Sequence, residues 1–273
     1  MLARHRQSVI LQAVRSDGSA RVSDLTQRLG VSDMTIRRDL EVLARDGLIE
    51  KVHGGAVLPG TPASHEPGFD AKLMLEQAEK NAIARVAASL VTPGTAIALA
   101  SGTTTFGLAQ CLLDVPGLTI VTNSLRVTNV FNGTRGLDGT SDSMVLTGGV
   151  RTPSDALVGP VADLTIRSLH FDLLFVGCYG FDAGAGLTTP NLAEAETNRS
   201  FIRVARKVVL LADHTKWGLV GLSSFARLNE VDVLITDDML AADARAQVAD
   251  QVGEVIFAQN MTAESMAASL SRP

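Results

Sequence analysis

Several features that define secreted, membrane-spanning or metal-binding proteins are scarce in this 273-residue sequence. It has two cysteines, Cys111 and Cys178, which lie in apolar stretches without metal-ligand spacing, so we expect buried reduced thiols. No apolar run approaches the roughly 18 residues of a membrane helix, and the apolar part of the N-terminus is too short for a signal peptide. These absences predict a soluble cytoplasmic protein that does not bind membranes.

A strong excess of positive charge is also missing. The net charge of −5 argues against a protein that coats nucleic acid through bulk charge. The charge is nevertheless uneven, because residues 1–58 hold nine basic and seven acidic side chains, which leaves +2 there and −7 in the remainder. This asymmetry has the sign that a small nucleic-acid-binding module needs.

The composition changes near residue 58, where "LPGTPASHEPG" predicts a linker. We expect an N-terminal domain over residues 1–58, a linker over 59–70 and a larger domain over 71–273. In the larger domain, short β-branched runs such as "TAIALA" and "KVVLLAD" alternate with segments of helical character. Because these runs are apolar on both faces, they predict an open, Rossmann-like parallel α/β sheet covered by helices.

The N-terminal domain shows the pattern of three short helices followed by a hairpin. In the third helix, which opens with Ser32 as a cap, Ile36, Leu40 and Leu43 form an apolar stripe. The opposite face is polar and cationic, as in a helix that reads DNA, and "LIEKVHGGAVL" predicts a β-hairpin wing. A three-helix packing module with solvated arginines is the alternative interpretation. The candidate DNA contacts are Ser32, Met34, Thr35, Arg37, Arg38, Lys51 and His53.

The stretch "IALASGTTT" predicts an anion site in the larger domain. A strand there hands over to a loop and a helix whose backbone amides and hydroxyls suit a phosphate group. Polar residues and glycines follow other predicted strands at the same sheet edge, although single residues such as Lys216 fit a solvated surface equally well. The candidate effector contacts are Ser101, Gly102, Thr103, Thr104, Asn123, Gly148, Gly149, Arg151, Asp182, Arg199 and Lys216.

The segment "VSDMTIRRDLEVLARDGLIEKVHGGAVL" resembles the N-terminal signature of DeoR-family transcriptional regulators nearly position for position. The likeness extends through "SGTTT", "LTGGVR", "GLTTPN" and "LLADHTKWG". It implies a winged helix-turn-helix joined to a domain akin to ribose 5-phosphate isomerase, with a phosphorylated sugar as effector that lowers the affinity for operator DNA. We therefore expect a repressor of a sugar or sugar-alcohol catabolic operon, without cofactor or metal. Because operators usually have repeated half-sites, we expect a dimer or tetramer.

The alternative is a sugar-phosphate isomerase that carries a DNA-binding domain. Aldose–ketose isomerisation needs a general base and a group that stabilises the enediolate. In the isomerases an acidic pair follows the strand that corresponds to "DLLFVGCYGFD", where this chain has Tyr179 and Gly180. Since Asp182 alone remains, we expect no isomerase activity. A third possibility is a DNA-binding protein whose larger domain only oligomerises.

Three positions depart from the family pattern. Ala100 precedes the Ser-Gly pair where an aspartate is common, Asn198 stands in place of a lysine, and Tyr179 replaces a smaller or acidic residue. All three fall near the predicted effector site. Our hypothesis is that the effector differs from the family's commonest ones in the hydroxyl groups it offers.

Overall fold

A computed structural model describes residues 3–17, 19–52, 54–57, 68–132 and 143–259. Contacts divide the chain into two units, Met1–Pro67 and Gly68–Pro273. Most of the expected linker, residues 59–70, lies outside the described ranges, and so does His53 of the expected wing.

The first unit has the element order of a winged helix. Its helices and strands are α1 (Ala3–Asp17), β1 (Ser19–Arg21), α2 (Val22–Leu29), α3 (Asp33–Arg45), β2 (Glu50–Val52) and β3 (Gly55–Val57). Strand β3 lies between β1 and β2 and pairs antiparallel with both of them. The hairpin predicted for the wing is therefore present, and β1 completes a small sheet.

The core of the first unit forms around the apolar stripe of α3. Ile36, Leu40 and Leu43 are buried, as predicted, and they cluster with Ile10 of α1 and Leu25 of α2. Burial of such a stripe is what orients the opposite face of the helix toward solvent.

The second unit alternates strands and helices. Its elements are α4 (Phe69–Leu73), α5 (Gln77–Ala88), β4 (Ala96–Leu99), α6 (Thr103–Cys111), β5 (Thr119–Thr122), α7 (Leu125–Phe131), β6 (Ser143–Leu146), β7 (Val150–Arg151), β8 (Leu157–Val158), α8 (Pro160–Arg167), β9 (Phe171–Val176), β10 (Gly180–Asp182), β11 (Gly186–Thr189), α9 (Leu192–Val204), β12 (Ala205–Leu211), β13 (Ser223–Ala226), β14 (Val233–Asp237), α10 (Ala242–Ala249) and β15 (Glu254–Ala258). Short 3₁₀ turns cover His214–Lys216 and Leu228–Glu230.

Seven of the described strands form one parallel sheet in the order β6-β5-β4-β9-β12-β14-β15. The chain runs outward from β4 to β6, returns to β9 and then runs outward to β15, so the strand order reverses between β4 and β9. In such a doubly wound sheet, the carboxyl ends of the strands at the reversal point open a crevice for ligands. The predicted fold class, a winged helix joined to an open parallel α/β domain, is confirmed.

Helices cover both faces of this sheet. Residues of β4 alternate between the two faces: Ile97 joins the apolar cluster with helices α5, α6 and α7, whereas Ala98 joins the cluster with α8 and α9. Two smaller antiparallel pieces, β7–β8 and β10–β11–β13, sit outside the main sheet and were not predicted. No helix of the described residues has both the length and the apolar character needed to cross a bilayer.

Candidate functional site

The first turn of α3 is fixed by its own cap. The Ser32 hydroxyl accepts a hydrogen bond from the backbone N–H of Thr35 at 3.4 Å and lies 2.9 Å from the Thr35 hydroxyl. A side-chain cap of this kind satisfies an amide that the helix leaves without a partner. Both predicted DNA contacts therefore also have a structural role at the start of the helix.

The exposed face of α3 presents one apolar and two cationic side chains. Met34 is 80% exposed, which is unusual for a large apolar side chain. Arg37 pairs with Asp33 one turn earlier, with 3.3 Å between Nη2 and Oδ2. The side chain of Arg38 is exposed and makes no hydrogen bond or ion pair with another described residue. Of the two arginines, Arg38 is therefore the cation that is available to an anionic partner.

The wing is tied to this helix by a further ion pair. Lys51 of β2 places Nζ 3.0 Å from Oε1 of Glu41 on α3, and both side chains are largely exposed. Such a pair contributes little to stability, because solvent screens it. Lys51 therefore lies beside the exposed face of α3, in an ion pair that solvent weakens.

A buried carboxylate, which the sequence analysis did not single out, anchors α3 from its inner side. Asp39 is 4% exposed and accepts hydrogen bonds from Arg6, and from Gln7 Nε2 at 3.0 Å. The sequence could have indicated this role, because Asp39 falls on the apolar stripe of α3 beside Leu40, where a buried charge without a partner would destabilise the fold.

In the second unit, Ser101 and Gly102 lead from β4 into α6 at the reversal point of the sheet, and Thr103 and Thr104 begin the helix; we call residues 101–104 the 101–104 loop. The Ser101 N–H donates to Oδ1 of Asn123 at 2.9 Å. Asn123 is fully buried and its Nδ2 donates to the Leu157 carbonyl at 3.1 Å, so it supports the loop from below. Among the described residues, the backbone N–H groups of Gly102, Thr103 and Thr104 have no acceptor. These amides begin a nine-residue helix, the arrangement that binds anions.

Gly148 and Gly149, which follow β6, have a packing reason for being glycine. Their φ angles are 72° and 118°, in the left-handed region. A Cβ on Gly149 would lie 2.6 Å from the Val158 carbonyl oxygen. Close approach to β8 therefore accounts for Gly149 without a ligand.

Arg151 lies beside a buried carboxylate in residues 152–156, the loop that joins β7 to β8 and that we call the 152–156 loop. Its Nε donates to Asp155 Oδ1 at 2.7 Å, and Arg126 of α7 donates to Asp155 Oδ2 at 2.5 Å. Burial acts to raise the pKa of Asp155, but the hydrogen bonds from Arg126 and Arg151 outweigh it and hold the pKa below its usual value. The 152–156 loop touches the 101–104 loop, because the Ser101 hydroxyl donates to the Ser154 carbonyl at 3.3 Å.

The carboxyl end of β12 supplies Asp213, His214 and Lys216. His214 Nδ1 lies 2.9 Å from Oδ1 of the fully buried Asp237. Burial disfavours the charged imidazole, but Asp237, with Asp213 and Glu76 nearby, raises the pKa of His214. The half-buried Lys216 is thus one member of a polar group at the same sheet edge as the 101–104 loop.

The carboxyl end of β9 carries Cys178, Tyr179 and Gly180. Burial raises the pKa of the Cys178 thiol to about 12, so it is not a nucleophile at neutral pH. A Cβ on Gly180 would lie 2.1 Å from the Leu219 carbonyl oxygen, so the backbone there has no room for a side chain. A carboxylate at this position is sterically excluded.

Asp182 and Arg199 belong to a different part of the second unit. Asp182 Oδ1 accepts hydrogen bonds from the N–H groups of Gly184 at 2.8 Å and Ala185 at 3.1 Å, which closes the β10–β11 turn. Arg199 donates to the Ser224 carbonyl of β13 and lines a cleft of about 410 Å³ that Gly184 and Ala185 also line. Their hydrogen bonds therefore connect them to the small antiparallel sheet.

Of the three residues that depart from the resemblance, Ala100 and Asn198 are buried and Tyr179 is partly buried. Ala100 is 1% exposed and packs in the apolar cluster beneath the 101–104 loop, where an aspartate would have to be accommodated among apolar neighbours. Asn198 is 4% exposed on α9. In the part of the chain that is described, no group of three or more His, Cys, Asp or Glu side chains is arranged to hold a metal ion.

Comparison with known proteins covers both units. The family model described as a DeoR-like helix-turn-helix domain matches residues 6–61, and the one described as the DeoR C terminal sensor domain matches residues 75–238. The chain is 36% identical over 261 residues to an uncharacterized HTH-type transcriptional regulator, YgbI, of Escherichia coli, which covers 95% of this chain and 100% of that protein.

Two other relatives have names that describe regulators. The HTH-type transcriptional regulator GlpR of Haloferax volcanii is 38% identical over 91% of this chain and 95% of its own length. A putative aga operon transcriptional repressor of Escherichia coli is 33% identical over 88% of each chain. Among solved structures, ribose 5-phosphate isomerase A of Methanocaldococcus jannaschii matches with a TM-score of 0.37 and 15% identity over 52% of this chain and 54% of that one, a likeness too weak to support an argument.

Proposed function

Because the chain belongs to the DeoR family of transcriptional regulators, we propose that it represses a sugar or sugar-alcohol catabolic operon and leaves its operator when a phosphorylated metabolite binds. The family membership makes it a DNA-binding regulator with a sensor domain. The observation that carries the proposal is that one chain has both an exposed cationic face on α3 and, at the start of α6, backbone amides that have no acceptor among the described residues.

For the DNA contact, we assign the exposed face of α3 to the major groove. Arg38 has no partner in the described chain and reaches a guanine edge or a phosphate, while Met34 offers apolar contact to bases. Ser32, Thr35, Arg37 and Lys51 surround them and suit phosphate contacts, which fix the register of a reading helix.

For the effector, we assign the phosphate group to the open amides of the 101–104 loop. The helix dipole of α6 favours an anion there. Lys216 follows β12 at the same sheet edge, and Arg151 reaches the neighbouring 152–156 loop. The class of effector follows from the resemblance, since the DeoR pattern implies a phosphorylated sugar.

The DNA part is tested by selecting an operator from random duplexes and measuring mobility shifts. The effector part is tested by repeating the shifts with a panel of sugar phosphates and, as controls, the same sugars without phosphate. We expect one phosphorylated compound to release the operator, and Arg151→Ala to raise the concentration required. Arg206→Ala is the matched control, because Arg206 is exposed at the amino end of β12, the opposite sheet edge. Release by unphosphorylated sugars, or no release by any compound, would contradict the proposal.

A catalytic role is the second candidate, and we propose that the chain has none. The steric exclusion of a side chain at Gly180 and the use of Asp182 in a turn remove carboxylates from the carboxyl end of β9. Turnover of ribose 5-phosphate that disappears in Asp182→Ala would overturn this. We also propose a dimer or tetramer, which static light scattering of the whole chain tests, with a monomer as the contradicting result.

A further inference from the structure

A series of ion pairs links the 152–156 loop, which contacts the proposed effector site at the 101–104 loop, to α4, the first described helix of the second unit. Arg126 stands in the middle: its Nε lies 2.5 Å from Asp155 Oδ2, and its Nη2 lies 3.0 Å from Asp70 Oδ1 on α4. Arg151 donates to the other oxygen of Asp155 at 2.7 Å. One buried carboxylate is therefore shared by two guanidinium groups, and one of these also holds α4.

The other contacts of α4 lead to the same two loops. The Phe69 N–H donates to the Pro153 carbonyl at 3.3 Å, and Lys72 Nζ donates to the Ser154 hydroxyl at 2.7 Å. The ring of Phe69 lies under the Arg126 guanidinium, 4.8 Å from its centroid, and meets Phe106 of α6 edge-on at 5.7 Å. Helix α4, only five residues long, is thus held by the 152–156 loop and by the helix that opens the anion site.

The two carboxylates that share Arg126 differ strongly in their exposure. The side chain of Asp155 is 6% exposed, whereas that of Asp70 is 77% exposed. A buried carboxylate that loses its counter-charge is strongly destabilising, but an exposed one is solvated by water and loses little. When a charge in this series of ion pairs is removed or displaced, the ion pair between Arg126 and Asp70 is therefore the first to break.

We propose that Arg126 is a positioning residue that converts anion binding at the 101–104 loop into release of α4. The inference rests on the proposed effector site. An anion on the amides of residues 102–104 attracts Arg151, whose side chain is 65% exposed, away from Asp155. Arg126 then remains as the counter-charge of Asp155. Its Nε and Nη2 both turn toward that carboxylate, and its ion pair with Asp70 breaks.

Helix α4 is connected in sequence to the DNA-binding unit. Gly68 and Phe69 are the first described residues after segment 58–67, which joins the two units in sequence. A ligand changes operator affinity only if it binds the two arrangements of the protein differently. The bond between Arg126 and Asp70 is the element that distinguishes the arrangement with α4 held from the arrangement with α4 released.

The test uses inorganic phosphate as the probe and hydrogen–deuterium exchange of the whole chain as the measurement. We expect saturating phosphate to slow exchange at residues 102–106 and to accelerate it at residues 69–75. In Asp70→Asn, which keeps the Phe69 and Lys72 contacts of α4, residues 69–75 should exchange faster than in the wild type without phosphate and show no further acceleration with it, while slowing at 102–106 persists. Asp114→Asn is the matched control, because Asp114 is exposed and makes no hydrogen bond or ion pair with another described residue.

A second measurement checks the consequence for DNA. Asp70→Asn should bind the operator about fivefold more weakly without ligand, the low end of usual allosteric coupling. Slowed exchange at 102–106 with unchanged exchange at 69–75 would overturn this inference alone. No slowing at 102–106 would remove the proposed effector site, and the inference with it. An Asp70→Asn protein that behaves like wild type in both measurements also overturns the inference.

Discussion

Arg6 of α1 and Asp39 of α3 form an ion pair inside the winged-helix unit, with side chains that are 11% and 5% exposed. Gln7 adds a second donor to the same carboxylate. The pair joins the first helix to the inner side of α3. Since the outer side carries Met34, Arg37 and Arg38, the pair fixes the direction in which that face points.

We predict that Arg6→Ala destabilises the first unit by about 3 kcal/mol, because it leaves Asp39 buried without its counter-charge. The sole tryptophan, Trp217, belongs to the second unit, so urea unfolding of the first unit must be followed by circular dichroism. Arg37→Ala is the control, since it breaks an exposed pair within one helix worth about 0.5 kcal/mol or less. Equal effects of the two substitutions would contradict the prediction.

Arg38 and Arg37 are neighbours with different surroundings, and we predict different effects on operator binding. Arg38→Ala should weaken binding at least tenfold, about 1.4 kcal/mol, because Arg38 has no competing partner in the described chain. Arg37→Ala should cost less, because Asp33 already neutralises part of the charge of Arg37. Mobility shifts at several salt concentrations measure both effects. Unchanged binding of Arg38→Ala would refute the role assigned to Arg38.

The exposed Met34 predicts a contact with a thymine methyl group in the major groove. Replacing single thymines of the operator by uracil removes only that methyl group. One such replacement should weaken binding by the wild-type protein and leave binding by Met34→Ala unchanged. If uracil has the same effect on both proteins at every position, Met34 does not read a methyl group.

The helices and strands that the sequence predicted share one property: each is marked by a hydrophobic pattern within its own residues. The stripe of Ile36, Leu40 and Leu43 defines α3, and the continuous apolar runs at β4 and β12 define buried parallel strands. Strands such as β7 (Val150–Arg151) and β10 (Gly180–Asp182) were not predicted, because no continuous apolar run or hairpin signal marks their two and three residues.

The position of the 101–104 loop was predictable, because the loop follows directly from the end of β4. Asp182 was expected at this edge because it follows the apolar run of β9, but the chain forms the β10–β11 hairpin there before it enters α9, which carries Arg199. Arg126 and Asp155 were missed because 29 residues separate them and neither lies in a motif. Pairing of distant charges depends on the tertiary fold, which local patterns do not encode.

His214 gives the second unit a pH-dependent stability with a definite sign. Its pKa in the folded state is raised above the ordinary value of 6.5, although burial acts the other way, because Asp237 holds the charged imidazole with help from Asp213 and Glu76. The folded state therefore binds the proton more tightly than the unfolded state does. The resulting stabilisation is complete below pH 6.5 and is lost as the pH rises through the folded-state pKa.

We predict that the free energy of unfolding of the second unit falls as the pH rises above the ordinary histidine pKa of about 6.5, because this proton leaves as the pH passes the raised pKa of the folded state. Urea unfolding followed by the fluorescence of Trp217, which lies in the same 213–217 segment, measures it. His214→Gln should flatten the dependence, because the amide does not titrate. His170→Gln should keep it, since His170 is exposed and precedes β9, at the sheet edge opposite to Asp237, which ends β14. A dependence that rises with pH, or that survives in His214→Gln, would show that another group determines it.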